Sequence, residues 1–344
     1  MLRILHITPS LAGGGAERMI SKLTKYDHTN EHIIISLLDM NIHYEFENVK
    51  IIDLKLKNGL RSKFLLIFKL YKYVKNLKPD IIQTWSKANF YGPFLSFFNN
   101  SKVVSNYRNG YYGTHNKFLI ILYNLFFNRF DAHIFVSESA LKERKKVGIK
   151  LSNCQIIKNG FEIPTYSNEL INDTLRIGHM GRFHNIKNQQ LIIDAFREFC
   201  GDKKTLLYLA GKNLNGENLN LKDIPDSKIK LMGEIKETEK FYNNIDIFIL
   251  SSDSEGFPNV IGEAMSYGIP VISTDAGESF KIIGENGFKI HDKESLLKVL
   301  NEIYMNRQLL IEKGRKSRKR VEEKFDIKDT VKEYQTFYRY ITGG

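Results

Sequence analysis

Strand-length apolar runs alternate with helix-length segments along these 344 residues, and the alternation begins afresh after a polar break near the middle. Those two observations predict an α/β chain built as two doubly wound, mostly parallel sheets. The length suits two domains. A hydrophobic content of 42% and an aromatic content of 12% are ordinary for a globular protein.

The elements follow in order. Arg3–Thr8 reads as the first strand, then a loop Gly13-Gly14-Gly15, then a helix at about Ala16–Lys25. Ile33–Leu37 is the next strand, and Leu60–Leu77 a long helix that stops before Pro79. Ile81–Thr84, Lys102–Asn106 and Ala132–Val136 continue the rhythm. Glu162–Thr174 is polar and contains proline, as a linker does. Strands resume at Arg176–Met180, Thr205–Ala210, Ile229–Met232, Asp246–Leu250 and Val271–Ser273. The expected division is residues 1–165, residues 166–329 and a last helix within residues 330–344.

Several classes are disfavoured. Cys154 and Cys200 give neither a zinc spacing nor a disulfide framework, so reduced thiols are expected. The start reads as a strand rather than a secretory leader. No apolar run reaches the roughly 18–20 residues of a membrane span; the longest candidate, Phe118–Phe127, contains Asn124. Charge is uneven. Met1–Thr165 holds 24 Lys+Arg against 12 Asp+Glu, whereas Tyr166–Gly344 holds 27 against 27. An excess confined to one half points to an anionic partner for that half.

The most informative segment is E-G-F-P-N-V-I-G-E, from Glu255 to Glu263. It follows the apolar run Ile245–Ser252 and precedes a short helix and a strand. One carboxylate thus sits in a loop at the carboxyl end of a strand and the other near the start of a helix. In an open α/β sheet that crevice binds ligands, and a helix start offers backbone N–H groups to a phosphate.

This segment resembles the E-x7-E signature of the retaining nucleotide-sugar glycosyltransferases of GT-B architecture, glycosyltransferase family 4. Three further stretches agree, in the family's order. R-I-L-H-I-T-P-S-L-A-G-G-G-A-E-R-M-I resembles the first strand, glycine loop and helix. Ile156–Glu162 resembles the interdomain N-G motif through Asn159. Ile177–Asn188 resembles the G-R-x4-K motif for the donor phosphates. The resemblance implies two Rossmann-like domains facing each other across a cleft, with the last helix crossing back onto the first domain.

It also implies roles. Arg182 and Lys187 would stabilise the charge that grows on a departing diphosphate, Arg182 as a fork and Lys187 as a point charge; as bare residues they are also readable as two surface cations. Glu255 would hold the hydroxyls of the transferred sugar, and Glu263 the ribose diol. Backbone N–H groups of Gly256, Phe257, Asn259 and Val260 would cradle sugar and phosphate, while Pro258 has none to give. Gly14 and Gly15 would let backbone approach donor or acceptor, although G-G-G-A-E-R is not a dinucleotide spacing and a plain flexible turn fits it too.

The glutamates are not a glycosidase acid/base pair, which flanks the scissile bond. Family membership implies front-face attack, with the departing phosphate oxygen taking the acceptor proton. Asp253-Ser254-Glu255 has the form of a D-x-D metal site, but a metal is redundant where Arg and Lys neutralise the diphosphate. No metal and no cofactor is expected. Two departures stand out. Where the family often has a functional His, this chain has Arg108 and Asn109, with His115 further on, which leaves the acceptor-side contact open. Where the family has G-G-x-x-E, only Gly277 and Glu278 remain.

Lys57–Lys78 interleaves Lys57, Arg61, Lys63, Lys69, Lys72, Lys75 and Lys78 with apolar residues and has no acid. It fits a helix lying on an anionic membrane with snorkelling lysines, each cation contributing roughly 1 kcal/mol. It equally fits a helix packed on the sheet with a wet basic face. Lys117–Arg129 and Lys142–Lys150 add to the first reading.

The expectation is a peripheral enzyme on the inner face of the cell membrane. It would move a hexose or N-acetylhexosamine from a nucleotide sugar, UDP-linked, to a lipid-linked saccharide for surface polysaccharide such as capsule or O-antigen. The rivals are a nucleotide-sugar epimerase or soluble glucan synthase on the same architecture, and a non-catalytic nucleic-acid-binding protein. The last lacks any zinc-finger, RNA-recognition or helix-turn-helix signature and gives the carboxylate pair no role, so no nucleic-acid partner is expected.

Overall fold

The computed structural model describes residues 1–38, 42–47, 49–56, 60–97, 100–108, 116–165 and 173–343. The chain forms two compact units, Met1–Gly160 with Ile327–Gly344, and Phe161–Asp326.

The first unit holds β1 (Arg3–Thr8), α1 (Gly15–Tyr26), β2 (Glu31–Ser36), β3 (Lys50–Asp53), α2 (Leu60–Leu77), β4 (Ile81–Trp85), α3 (Gly92–Leu95), β5 (Lys102–Tyr107), α4 (Lys117–Phe127), β6 (Ala132–Phe135), α5 (Glu138–Lys146) and β7 (Cys154–Ile156). The second holds β8 (Leu175–Met180), α6 (Gln189–Cys200), β9 (Thr205–Ala210), β10 (Ile229–Gly233), α7 (Thr238–Tyr242), β11 (Ile247–Leu250), α8 (Asn259–Ser266), β12 (Val271–Ser273), α9 (Ser279–Ile283), β13 (Phe288–Lys289), α10 (Lys293–Met305) and α11 (Gln308–Lys324). The last helix, α12 (Ile327–Thr342), belongs to the first unit.

Among the described residues the strand orders are β3-β2-β1-β4-β5-β6-β7 and β10-β9-β8-β11-β12-β13. Every pairing is parallel. Helices cover such sheets on both faces, so β1, β4 and β11 are buried almost throughout. The order reverses beside β1 in one sheet and beside β8 in the other. Those switch points are where an open sheet leaves a crevice at its carboxyl edge.

Each face of the first sheet has its own helices. On one, α1 buries Ala16, Met19, Ile20 and Leu23, and α12 buries Ile327, Val331, Tyr334 and Tyr338, all at helical spacing. On the other, α2 buries Leu66, Leu70 and Val74 against Leu5, Ile7, Ile35 and Val103. A polar chain runs through the interior. Trp85 Nε1 donates to His6 Nδ1 (3.2 Å), His6 Nε2 faces His32 Nδ1 (2.9 Å), and His32 Nε2 faces Asp27 Oδ2 (3.1 Å). The indole can only donate, so the tautomers follow: each histidine gives its Nε2 proton onward, ending at Asp27. Burial and the neighbouring His32 hold the His6 pKa well below its usual value. Burial works against the Asp27 charge, yet hydrogen bonds from His32, Asn30, Thr29 and Gln335 hold that carboxyl well below its ordinary range. Gln335 lies on α12, which this network fastens to the sheet.

The expected strands are present with ends moved by a residue or two. Asp246, for instance, is not part of β11: it accepts from Nε and Nη2 of Arg176 (3.2 and 2.5 Å) just before that strand. β3, β7 and β13 were not legible, having four, three and two residues. Most of the expected linker, residues 166–172, lies outside the described residues, as do Lys57, Asn109 and His115. Phe118–Phe127 forms most of α4. Among the described residues no helix is long and apolar enough to cross a membrane.

Candidate functional site

The second unit gathers most of the expected residues at its switch point, on the loops that leave β8, β11 and β12. The β8 loop is fixed by backbone. Gly181 N–H donates to Ala210 (2.9 Å) and Phe183 N–H to Lys212 (2.8 Å). Gly211, at φ +144°, packs so closely that a Cβ there would overlap the Gly181 carbonyl. The loop then makes one 3-10 turn, Asn185–Lys187, and Asn188 turns left-handed (φ 47°) to open α6. Arg182 is left exposed, and among the described residues its guanidinium has no hydrogen-bond or ion-pair partner.

Lys187 points to the β11 loop. Its ammonium lies 2.5 Å from Glu255 Oε1, with the two side chains 23% and 14% exposed. Ser252 Oγ donates to the same carboxylate oxygen (2.7 Å), and Ser251 Oγ to the Lys187 carbonyl (2.8 Å). Asp253 takes a hydrogen bond from Asn188 Nδ2 (3.1 Å) and gives its N–H to Ile186 (2.9 Å). So the D-x-E stretch is engaged in joining the two loops.

The β12 loop closes on this pair from a third side. Thr274 Oγ1 donates to the Ser252 carbonyl (2.6 Å). Gly277, at φ +60°, presses against the Glu255 and Gly256 carbonyls with no room for a Cβ. Glu278 is buried and accepts from Lys281 (3.1 Å). The shortened glycine motif therefore keeps the one glycine that sets the backbone of Glu255.

Beyond Glu255, Phe257 is buried and stacks on Phe161 (6.3 Å between centroids). Asn259 and Val260 are the first two residues of α8, where a helix leaves its N–H groups without intrahelical acceptors. Glu263 is the fifth, buried, with Oε2 accepting from the Tyr242 hydroxyl at 3.0 Å. Tyr242 in turn stacks on Tyr267 (5.2 Å). Sequence reasoning missed Tyr242, at the end of α7, whose contact with α8 spans 21 residues across β11.

It also missed His179, on β8 beneath the Gly181 loop. Its Nδ1 faces the Ile249 carbonyl (3.0 Å), so that nitrogen carries the proton and Nε2 is a bare acceptor. Burial first, and then the charge of Lys187, lower its pKa to about 4. A neutral ring thus supports the loop without adding charge. The available signal was a histidine inside an otherwise buried strand.

The first unit treats its expected residues differently. Gly14 caps α1 and Gly15 begins it, after Gly13 at φ +98°. Arg108 and Asn159 do come together, through Arg108 Nη1 and Asn159 Oδ1 at 2.7 Å, but both are buried. Arg108 also donates to the Ile157 carbonyl (3.4 Å) and to the Tyr334 hydroxyl on α12. It lies 5.3 Å from the Trp85 ring centre, and burial lowers its pKa to about 9.

Comparison with known proteins agrees with this layout. Residues 13–163 match the model of "Glycosyltransferase Family 4", and residues 174–306 that of "Glycosyl transferases group 1". The capsular polysaccharide biosynthesis glycosyltransferase CapM of Staphylococcus aureus is 26% identical over 60% of this chain, and the match spans 58% of CapM. A Campylobacter jejuni enzyme is 26% identical over 77% of this chain and 79% of its own length. Its name is N-acetylgalactosamine-N,N'-diacetylbacillosaminyl-diphospho-undecaprenol 4-alpha-N-acetylgalactosaminyltransferase. The crystal structure of Anabaena HepE in complex with UDP and glucose superposes with a TM-score of 0.80 at 20% identity, covering 98% of this chain and 99% of that one. The chain thus carries a glycosyltransferase family 4 domain at residues 13–163 and a glycosyl transferases group 1 domain at residues 174–306, on the GT-B fold.

Proposed function

We propose that this protein transfers a hexose or N-acetylhexosamine from a UDP-sugar to a lipid-linked saccharide, with retention and without a metal, in building a surface polysaccharide. The observation that carries the donor half is the Lys187–Glu255 contact at the switch point of the second sheet. Two motifs that share no stretch of chain meet there, with an exposed Arg182 on the same loop.

The chemistry follows from that geometry. Glu255, itself held by the Ser252 hydroxyl, holds the Lys187 ammonium in place, so little reorganisation is needed when the diphosphate binds. A phosphate oxygen then shares the ammonium, and Arg182 takes the diphosphate as a fork. Glu255, no longer sole partner of Lys187, accepts hydroxyls of the sugar. Glu263, oriented by Tyr242, takes the ribose diol, and the first N–H groups of α8 face phosphate or sugar oxygens. As the glycosidic bond breaks, negative charge grows on the diphosphate. Both cations then bind the transition state more tightly than the ground state.

The UDP donor is supported by what HepE binds. The lipid-linked acceptor and the polysaccharide setting are supported by the activities for which the Campylobacter and Staphylococcus relatives are named. They are supported too by the basic first half of the chain. A location on the inner face of the cell membrane follows from such an acceptor.

The test is transfer from a panel of UDP-sugars, with EDTA present, to a prenyl-diphosphate saccharide, followed by assignment of the product anomer. The reading expects one donor to be used and an axial-linked donor to give an axial product. Inversion, a strict need for added metal, or donor interconversion without transfer would overturn it.

A further inference from the structure

The face of the first sheet covered by α2, the 3-10 turn Ser86–Tyr91, α3 and α4 is packed with apolar side chains on its inner side and carries more of them outside. Inward, Leu66, Leu70, Leu95 and Phe130 complete the core. Outward, α4 presents Phe118, Ile121 and Leu125, which are 67%, 57% and 68% exposed. They are spaced three and four residues apart and form one ridge. Alongside, α2 exposes Leu65 and Phe68, and the segment between them in space exposes Phe90 and Phe97. These elements adjoin: the Phe94 and Phe126 rings lie 4.5 Å apart, and the Arg129 guanidinium is 3.7 Å from the Phe97 ring centre. In the second unit, among the described residues, Leu231 and Met305 are the large apolar side chains exposed in this way.

Charge identifies the occupant. Between Asp53 and Asp131 the sequence has one acid, Asp80, against 13 Lys and Arg. Cations stand at both ends of the ridge, Lys117 at the first residue of α4 and Arg129 just past its last. The 11-residue helix between them is about 16 Å long. On α2, Lys69, Lys72 and Lys75 are exposed beside Phe68. An apolar ridge framed by cations, on a helix too short to span, is the form that lies in a bilayer interface. The apolar side chains sink below the headgroups and the lysines reach back to the phosphates.

We propose that α4 is the element that inserts into an anionic bilayer, with α2 as its electrostatic rim. This rests on the reading that the acceptor is lipid-linked, and it shifts the membrane contact from the basic helix alone to the apolar ridge beside it.

The test is binding to vesicles of phosphatidylglycerol and phosphatidylcholine at low and high salt. The double variant Ile121→Asp/Leu125→Asp should lower the partition coefficient at least about 10-fold at both salts, because it removes apolar insertion. Lys69→Gln/Lys72→Gln/Lys75→Gln should lower it mainly at low salt. The chain has one Trp, the fully buried Trp85. Phe118→Trp therefore gives a reporter that vesicles with brominated acyl chains should quench, while the wild-type protein stays unquenched. That measurement decides the matter even if the double Asp variant fails to fold. Wild-type-like binding of the folded double variant, or an unquenched Phe118→Trp, overturns the α4 assignment. Absence of wild-type binding to any vesicle overturns the membrane contact altogether. Sugar transfer to a short-chain, water-soluble acceptor then tells separately whether the enzymatic reading survives.

Discussion

The two units use polar residues in opposite ways. In the second, they converge on the loops at the carboxyl edge, where Lys187, Glu255, Ser252 and Asp253 tie three loops into one surface with Arg182 open to solvent. In the first, the comparable residues turn inward. Arg108, Asn159 and the Trp85–His6–His32–Asp27 chain hold α12 and the strand ends, while the outside is basic and apolar. Under the proposed reading, charge developing on a leaving diphosphate needs fixed partners, and the second unit holds them on loops that hydrogen-bond to one another. A lipid-linked acceptor, under the same reading, needs a surface, and the first unit's inward polar groups hold α12 and the strands beneath its exposed apolar residues.

The sharpest way to separate the units is to remove one cation from each. Lys187→Ala should lower kcat about 100- to 1,000-fold, as loss of one preorganised donor to a developing oxyanion does, with little change in thermal stability. Arg108→Ala should do the reverse. It takes the guanidinium away from buried Asn159 and from the Tyr334 hydroxyl, which still accepts from the Asn106 amide (3.0 Å), and this costs about 2–4 kcal/mol of first-unit stability by denaturant melting. A kcat effect without a stability effect would make Arg108 a substrate contact instead.

Gly277→Ala comes next. A side chain at φ +60° costs about 1–2 kcal/mol before the clash with the Glu255 carbonyl is counted. Second-unit stability and turnover should fall together, and restoration of turnover by low temperature alone would contradict the coupling of the two loops.

Acid sharpens the comparison further. His133 in the first unit and His179 in the second have pKa values lowered to about 4, both by burial first. Unfolded, each would titrate near 6.5. The unfolded chain therefore binds more protons between these values, and both units should lose stability as pH falls from about 6.5 to 4. Asp27 adds a loss confined to the first unit. Its carboxyl is depressed, so its contribution is intact above about 4 and disappears at lower pH. Calorimetry should find the first unit the more acid-sensitive below pH 4; equal sensitivity would remove the Asp27 network from the account.

The smallest effect is Tyr242→Phe, which removes one hydrogen bond from Glu263. Donor affinity should weaken about 3- to 10-fold, near the 1 kcal/mol of a single such bond, with the fold unchanged. Unchanged affinity would detach Glu263 from the ribose.

Legibility in the sequence divides along the same line. The roles of Gly181, Arg182, Lys187 and Glu255 rest on the proposed function, but the α/β alternation and the loops after strands that carry these residues were readable, because each motif is a continuous stretch of chain. What joins them was not. The Lys187–Glu255 contact spans 68 residues and the Arg108–Tyr334 contact 226; the strand order brings the first pair together, and the packing of α12 on the first sheet brings the second. The outward ridge of α4 was hidden for a different reason. K-F-L-I-I-L-Y-N-L-F-F is apolar around nearly its whole circumference, so periodicity does not say which side the sheet covers.

The most direct measurement is the thermal melting of the wild-type protein and of Arg182→Ala/Lys187→Ala with UDP, GDP, ADP and their sugar conjugates, in EDTA. The account predicts a stabilising shift with the UDP family that the double variant loses. No shift with any nucleotide, with or without added Mg²⁺, or an undiminished shift in the double variant, would contradict it.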